Sequence, residues 1–183
     1  MRTVTRALLT LSALVLLGGP ALTGCAPTPA PKPAATAATD APVFASDAGA
    51  LAAATEAYAA YLAAGDSGGN KDDYLALSTG RAHDQDVTAS ATFEDRGWKQ
   101  TGVTSFDSFA IQSSTLSADD QWEIRAYLCL DVTKSDVVDS SGVSVAAVDR
   151  PLRLPLEVAF VTSSPSENLL IAESRVWSGS NFC

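Results

Sequence analysis

The chain has 183 residues, of which 46% are hydrophobic and 18% are charged, so it is long enough for one buried core. It carries 12 lysines and arginines against 21 aspartates and glutamates, a formal net charge of −9. An acidic surface repels phosphate backbones and anionic headgroups. Nucleic-acid binding and membrane attachment through a basic patch are therefore both disfavoured.

The first 25 residues have the parts of an export signal in order. Arg2 and Arg6 give a basic start, an apolar run covers residues 7–17, and a Gly-Gly-Pro break precedes Leu22-Thr23-Gly24-Cys25. The apolar run is too short for a membrane span, which needs roughly 20 residues. The last four residues resemble the lipobox of bacterial lipoproteins, in which the cysteine receives a diacylglycerol before cleavage on its N-terminal side.

This resemblance implies a signal peptide over residues 1–24 and a lipid on Cys25. Loss of the two signal arginines would leave a mature net charge of −11. Two acyl chains on one cysteine are sufficient for stable anchoring. We therefore expect the membrane itself to be a partner, with the protein held at the outer face of the cytoplasmic membrane.

A tether is predicted to follow the anchor. Residues 25–45 are rich in Ala, Pro and Thr and lack the apolar periodicity that a core needs. In polyproline geometry, at about 3.1 Å per residue, the 18 residues 26–43 of this segment reach roughly 55 Å. The folded domain is accordingly expected to cover residues 46–183.

Three helices are predicted at the start of this domain. Ser46 is a suitable N-cap for a helix whose apolar residues recur at helical spacing and which ends near Gly65. A short second helix is predicted over Lys71–Ser78. A third is predicted over residues 81–96, with Gly97 placed to end it.

The periodicity changes to that of strands after residue 97. The segment 103–116 predicts a bulged strand, because neither of its faces is cleanly apolar. Residues 122–133 alternate most clearly between apolar and polar side chains and predict a central strand. Further strands are predicted in a 137–145 hairpin and at residues 152–160 and 169–177. Helices followed by such a meander predict an α+β domain, with the helices packed on one face of a curved antiparallel sheet.

Several stretches of the domain occur together in one known group of proteins. They are an Ala/Tyr-rich first helix, residues 95–102, residues 128–132, residues 148–151 and a terminal Cys183. In these features the chain resembles actinobacterial secreted lipoproteins with nuclear transport factor 2-like, cone-shaped domains. The resemblance implies a cone in which helices and the concave sheet face enclose a cavity, and it implies location rather than activity.

The chain has three cysteines. With Cys25 assigned to lipid, Cys129 and Cys183 remain as an even pair in an oxidising compartment, and a disulfide is the economical interpretation. Such a bond would tie the C-terminal tail across the polar face of the central strand. The alternative is two free buried thiols.

The sequence contains no recognisable cofactor or metal motif. His83 is the only histidine, and together with Arg81, Asp84 and Asp86 it is interpreted as part of a solvated helix surface. No second histidine is available to join it in a metal site. The expectation is therefore a protein without cofactor or metal.

The aromatic residues suggest a cavity. Five of them are candidates for its lining: Tyr58, Tyr61, Phe93, Trp98 and Trp122. In a hollow cone they would surround an apolar small molecule. In a filled cone they are ordinary core residues.

The leading hypothesis is a non-catalytic binding or assembly module of the cell envelope, with an envelope protein or an apolar small molecule as partner. The alternative is a small cone-fold enzyme, an isomerase or dehydratase that uses a buried carboxylate. Glu56 and Glu173 are the carboxylates whose orientation distinguishes the two, because burial in a cavity would raise the pKa of either. The sequence does not decide between monomer and dimer.

Overall fold

The computed structural model describes residues 43–163 and 168–183. The predicted signal peptide, Cys25 and most of the predicted tether lie outside the described residues, as do residues 164–167. The described chain begins with a 3-10 helix, Val43–Ala45, in which Phe44 is buried. Since the Phe44 ring packs against Trp122 with centroids 6.1 Å apart, the folded domain begins before the predicted boundary at residue 46.

Three α-helices follow: α1 (Asp47–Asp66), α2 (Lys71–Leu75) and α3 (Gly80–Arg96). The Ser46 side chain caps α1 by accepting from the Gly49 N–H at 3.1 Å, as predicted. Gly97 ends α3 with φ of 63°, a left-handed conformation that glycine adopts without steric cost. None of the helices in the described part of the chain is apolar over enough residues to cross a membrane.

Six strands follow the helices in the described part of the chain. They are β1 (Lys99–Gly102), β2 (Ser105–Leu116), β3 (Trp122–Asp131), β4 (Ser135–Val138), β5 (Arg153–Thr162) and β6 (Leu169–Val176). The order β2-β3-β5-β6 forms one antiparallel sheet, and β1 pairs with β4 in a second, two-stranded sheet. The predicted α+β class, with helices preceding an antiparallel sheet, is confirmed.

The strand β2 is bulged, as predicted. Its register with β3 shifts between Asp107 and Ala110, and again between Ile111 and Ser113. Ser108, inside the first shift, has φ of 54°. Bulges of this kind bend a strand and increase its twist, so they contribute to the curvature of the sheet.

The core lies between α1 and the inner face of the four-stranded sheet. The central strand β3 contributes Ile124, Ala126 and Leu128, which alternate along it and are fully buried. From α1, Tyr58 is 1% exposed and packs edge-on against Phe106, with ring centroids 5.1 Å apart. The helix is therefore fixed on the sheet along the face that carries its buried residues.

One local prediction was wrong. The second helix ends at Leu75 and not at Ser78, because the Leu77 carbonyl accepts from the Ile171 N–H at 3.0 Å and ties this segment to β6.

The predicted 137–145 hairpin is present but short. The Asp139 N–H donates to the Val143 carbonyl at 2.9 Å, and the Val145 N–H donates to the Val137 carbonyl at 2.9 Å. The return arm adds one bridge, from Val138 to Ser144, and β4 also pairs with β1.

Pro155 occupies a position in β5 where its missing donor is tolerated. It lies opposite Cys129 in the β3–β5 pairing, just beyond Leu156, the last β5 residue paired with β6. Its carbonyl accepts from the Trp177 N–H at 2.7 Å. A proline inside a strand needs a position where its nitrogen has no partner, and the end of the β5–β6 pairing provides one.

Candidate functional site

A cleft of about 550 Å³ opens beside the C-terminal end of α1. Its apolar lining comes from α1 and from the inner face of the sheet, and includes Leu62, Leu130, Leu154 and Leu156. Its polar lining includes Asp66, Gln100 and Arg150. A volume of this size with a mostly apolar wall and a few polar groups is typical of small-molecule sites.

Three tyrosines form one wall of the cleft. Tyr58 and Tyr61, both predicted to line a cavity, come from α1, and Tyr74 comes from α2. The Tyr61 and Tyr74 rings stack with centroids 5.3 Å apart, and the Tyr58 and Tyr61 rings lie 6.0 Å apart. The wall is therefore a continuous aromatic surface.

Behind this wall lies a buried carboxylate, Asp86 of α3. The Tyr61 hydroxyl donates to Asp86 Oδ1 at 2.7 Å, and the Tyr74 hydroxyl lies 2.8 Å from the same oxygen. The two hydroxyl oxygens are 3.0 Å apart. We call this arrangement the Tyr61–Tyr74–Asp86 triad. It links one residue from each of the three helices.

The interpretation of Asp86 as part of a solvated helix surface was wrong. Asp86 is 7% exposed, and its Oδ2 has no hydrogen-bond partner among the described residues. The helical period explains the burial, because Asp86 follows the buried Ala82 by four positions and shares its face. His83, beside it, is half-buried and its Nδ1 lies 3.0 Å from the Leu75 carbonyl.

The phenols of the wall are held in their neutral form. Burial raises the pKa of Tyr58, Tyr61 and Tyr74 well above the ordinary value for a phenol. For Tyr61 and Tyr74, the negative charge of Asp86 raises the pKa further. Both hydroxyls of the triad therefore keep their protons at neutral pH and can donate hydrogen bonds to Asp86.

The charged groups at the mouth of the cleft are already bonded within the protein. The Asp66 carboxylate, at the end of α1, accepts from the Thr104 N–H at 2.6 Å, the Thr104 hydroxyl at 2.8 Å and the Gln100 amide. Arg150 donates from Nη2 to the Ser135 carbonyl at 2.6 Å. Its Nη1 lies 3.8 Å from Asp136 Oδ1. These bonds fix the shape of the mouth.

The other aromatic candidates lie elsewhere. Phe93 and Trp98 pack edge to face, with centroids 6.0 Å apart, and line a second cleft of about 580 Å³ beside the Gly-rich loop 67–70. Trp122 packs against Phe44 at the edge of the core. The five predicted residues therefore do not form one site.

Neither of the two glutamates singled out from the sequence points into the cleft. Glu56 is exposed on α1. Glu173 of β6 lies 3.3 Å from Arg81 and 4.0 Å from Arg175, with its side chain 25% exposed. Neither is among the residues that line the 550 Å³ cleft. Asp86, which sequence polarity alone assigned to solvent, is the buried carboxylate that lies behind the tyrosine wall of the cleft.

The structure pairs Cys129 with Cys183 as a disulfide, with Cα atoms 5.5 Å apart. Cys129 is fully buried in β3. The rings of Trp177 and Phe182 lie 4.9 and 5.9 Å from the ring of Tyr127. The C-terminal tail therefore crosses the outer face of the sheet, on the side of β3 that the sequence predicts to be polar.

No protein-family model matches the chain, and no curated protein matches it. Several solved structures do. The intermembrane space region of the chloroplast protein ARC6 has a TM-score of 0.49 at 14% identity, over 70% of this chain and 97% of that one. A protein from Catenulispora acidiphila in complex with S-DNPA has a TM-score of 0.46 at 18% identity, over 70% and 92%. Aln2 from a Streptomyces species has a TM-score of 0.40 at 13% identity, over 68% and 87%. At these levels of similarity none of them supports a functional assignment for this chain.

Proposed function

We propose that the protein is a lipid-anchored, extracytoplasmic binding module of the cell envelope whose cleft takes a small molecule with an apolar body. The observation that carries the proposal is the 550 Å³ cleft, with its leucine lining and its tyrosine wall. Apolar lining drives binding by removing ligand surface from water, and the few polar groups fix the orientation of the ligand.

Export and anchoring are supported by the cysteines. The sequence Leu22-Thr23-Gly24-Cys25 follows a signal-like segment. Disulfides persist in oxidising compartments and are rare in the cytosol, so the pairing of Cys129 with Cys183 favours an extracytoplasmic domain. Each feature supports the other, since a lipid-attached chain is also an exported one.

The cleft lies far from the point where the chain enters the domain. Phe44 sits at the N-terminal end of α1, where its carbonyl accepts from the Ser114 hydroxyl at 2.8 Å. Gly65 and Asp66, which line the cleft, are at the other end of this 20-residue helix. A helix of that length spans about 30 Å. This separation favours a cleft that remains accessible when the chain is anchored through its N-terminal side.

The enzyme alternative, an isomerase or dehydratase, is favoured by one observation, the buried carboxylate Asp86. A general acid or base must come within hydrogen-bond reach of its substrate. Asp86 is not among the residues that line the cleft, and its Oδ1 is occupied by Tyr61 and Tyr74. We therefore assign the cleft to binding, and Asp86 to holding the two phenols in place.

Replacing Cys25 with alanine is expected to release the protein from the membrane, because it removes the only predicted lipid attachment point. The measurement is cell fractionation followed by a carbonate wash, comparing Cys25→Ala with the unchanged protein. The matched control is Thr23→Ala, which keeps the acceptor cysteine and a small residue in the box. Protein with Cys25→Ala that stays bound through the wash would contradict the anchoring proposal.

A neutral apolar probe, 3-phenyl-1-propanol, is expected to bind saturably in the cleft. The measurement is a titration of the ¹⁵N-labelled full chain, following the backbone amides of the lining residues Gly65, Gln100 and Leu154. Val137→Trp should weaken binding at least tenfold, because the larger side chain fills the cleft from β4. Unchanged affinity in that variant would exclude this cleft as the site.

The neighbouring residue provides the matched control. Val138 is also half-buried in β4 but does not line the cleft, because successive residues of a strand point to opposite faces. Val138→Trp should therefore bind the probe as the unchanged protein does. Equal loss in both variants would indicate general disruption of β4 rather than a blocked site.

A further inference from the structure

We propose that the cleft selects ligands whose polar end donates hydrogen bonds, above all a primary ammonium group on an apolar body. This selectivity rests on the small-molecule function proposed above and adds the chemistry of the ligand's polar end. It follows from the positions of the phenol protons in the wall and from the charges around them.

The phenols of the triad have no proton to spare for a ligand. Tyr61 and Tyr74 carry one hydroxyl proton each, and both hydroxyls lie within 2.8 Å of Asp86 Oδ1. If Tyr74 donates instead to the Tyr61 oxygen, at 3.0 Å, Tyr61 still donates to Asp86. In either arrangement both protons stay within the triad, where hydrogen bonds to a carboxylate are about twice as strong as neutral ones.

The hydroxyl oxygens of Tyr61 and Tyr74 are therefore available to a ligand only as hydrogen-bond acceptors. Each phenol oxygen keeps lone-pair capacity after donating its proton. A ligand carbonyl or carboxylate placed against Tyr61 and Tyr74 would face oxygen against oxygen. A ligand N–H or O–H placed there would complete the hydrogen bonding of the wall.

The charge behind the wall favours a cation over a neutral donor. No lysine or arginine in the described part of the chain lies within 4.0 Å of the Asp86 carboxylate, and Oδ2 is buried without a partner there. A charge in such surroundings acts more strongly on its neighbours than one in water. The faces of the tyrosine rings attract an ammonium group as well.

The mouth of the cleft does not reverse this preference. Two acidic residues, Asp66 and Asp136, lie at the mouth together with one basic residue, Arg150, among the described residues that line the cleft. The Arg150 guanidinium is held by the Ser135 carbonyl at 2.6 Å and lies 3.8 Å from Asp136. An anionic ligand would have to compete with Asp136 for the Arg150 guanidinium. Placed instead against Tyr61 and Tyr74, the anion would face hydrogen-bond acceptors.

Three probes with one skeleton test the selectivity: 3-phenylpropylamine, 3-phenyl-1-propanol and 3-phenylpropionate. Each is titrated at pH 7 into the ¹⁵N-labelled full chain in the same detergent, with the Val137→Trp protein as the blank for micelle partitioning. The amine is expected to bind at least tenfold more tightly than the propionate, with the alcohol between them. Asp86→Asn, which keeps the shape but removes the charge, should reduce the amine-to-propionate ratio to less than threefold.

Arg150→Gln gives a second variant that does not touch the triad. It should raise the amine-to-propionate affinity ratio, because it removes a positive charge from the mouth. Propionate binding equal to or tighter than the amine would overturn the selectivity while leaving the small-molecule function intact. An amine preference that persists in a folded Asp86→Asn protein would overturn the role of the triad. Absence of saturable shifts with all three probes would overturn the proposed function itself.

Discussion

Replacing Cys183 with serine is expected to lower the free energy of unfolding by about 4 kcal/mol. The bond from Cys129 to Cys183 spans 54 residues, and in the chain-entropy model its loss frees the unfolded chain by about that amount. Cys183 is exposed, so the variant removes little packing of its own. Its effect therefore measures the cross-link rather than a cavity.

Urea denaturation with and without reductant provides the measurement. The unchanged protein should lose stability in reductant and approach Cys183→Ser, whereas the variant should not respond to reductant. Ser180→Ala, in the same exposed tail, should stay within about 0.5 kcal/mol of the unchanged protein. Equal stability of Cys183→Ser and the unchanged protein, or free thiols on both cysteines before reduction, would contradict the bond.

The elements that sequence predicted well are those whose signals are local. The alternation along β3 places Ile124, Ala126 and Leu128 on one buried face, and a period of two is readable from any single strand. The caps at Ser46 and Gly97 are equally local, because each depends on one residue and the helix next to it. Such signals do not depend on what the element later packs against.

The pairing of β1 with β4 could not be predicted in this way. β1 has the sequence Lys-Gln-Thr-Gly, with no apolar alternation, and it forms because its backbone pairs with Ser135–Val138. Gly102 permits that pairing, since it has φ of 80° and a Cβ there would collide with the Lys134 carbonyl. The close approach involves residues more than thirty positions apart and leaves no periodic pattern.

The triad was missed for a related reason. An aspartate in a polar helix segment is assigned to solvent because an unpaired buried charge is costly. Asp86 is buried because Tyr61 and Tyr74, 25 and 12 residues earlier, both hydrogen-bond to it. The four-residue spacing from Ala82 to Asp86 indicates that both residues lie on the same buried face of α3, but it does not identify the partners of Asp86. The partners are set by how α1, α2 and α3 meet, which a single sequence does not show.

Raising the pH from 9 to 11 is expected to lower the free energy of unfolding by about 3 kcal/mol through the tyrosines alone. The folded-state pKa values of Tyr58, Tyr61 and Tyr74 are raised, mainly by burial, above the unfolded value of 10.0. Their stabilising contribution is complete below pH 10 and is lost as pH rises above it, because the unfolded chain releases protons that the folded chain retains. Between pH 9 and 11 each fully shifted phenol loses about 1.4 kcal/mol of its stabilising contribution, and the more solvated Tyr74 loses less.

Urea denaturation at pH 9, 10 and 11 measures this loss, and Tyr58→Phe isolates one phenol of the three. Tyr58 is 1% exposed, and phenylalanine fills nearly the same volume, so the variant should remain folded. Its loss between pH 9 and 11 should be smaller by about 1.4 kcal/mol, because one group no longer ionises on unfolding. Lysines also titrate in this range, but they are common to both proteins and cancel in the difference. An identical pH dependence in the two proteins would mean that the Tyr58 phenol ionises as readily in the folded state as in the unfolded one, which its burial against Phe106 and Phe160 opposes.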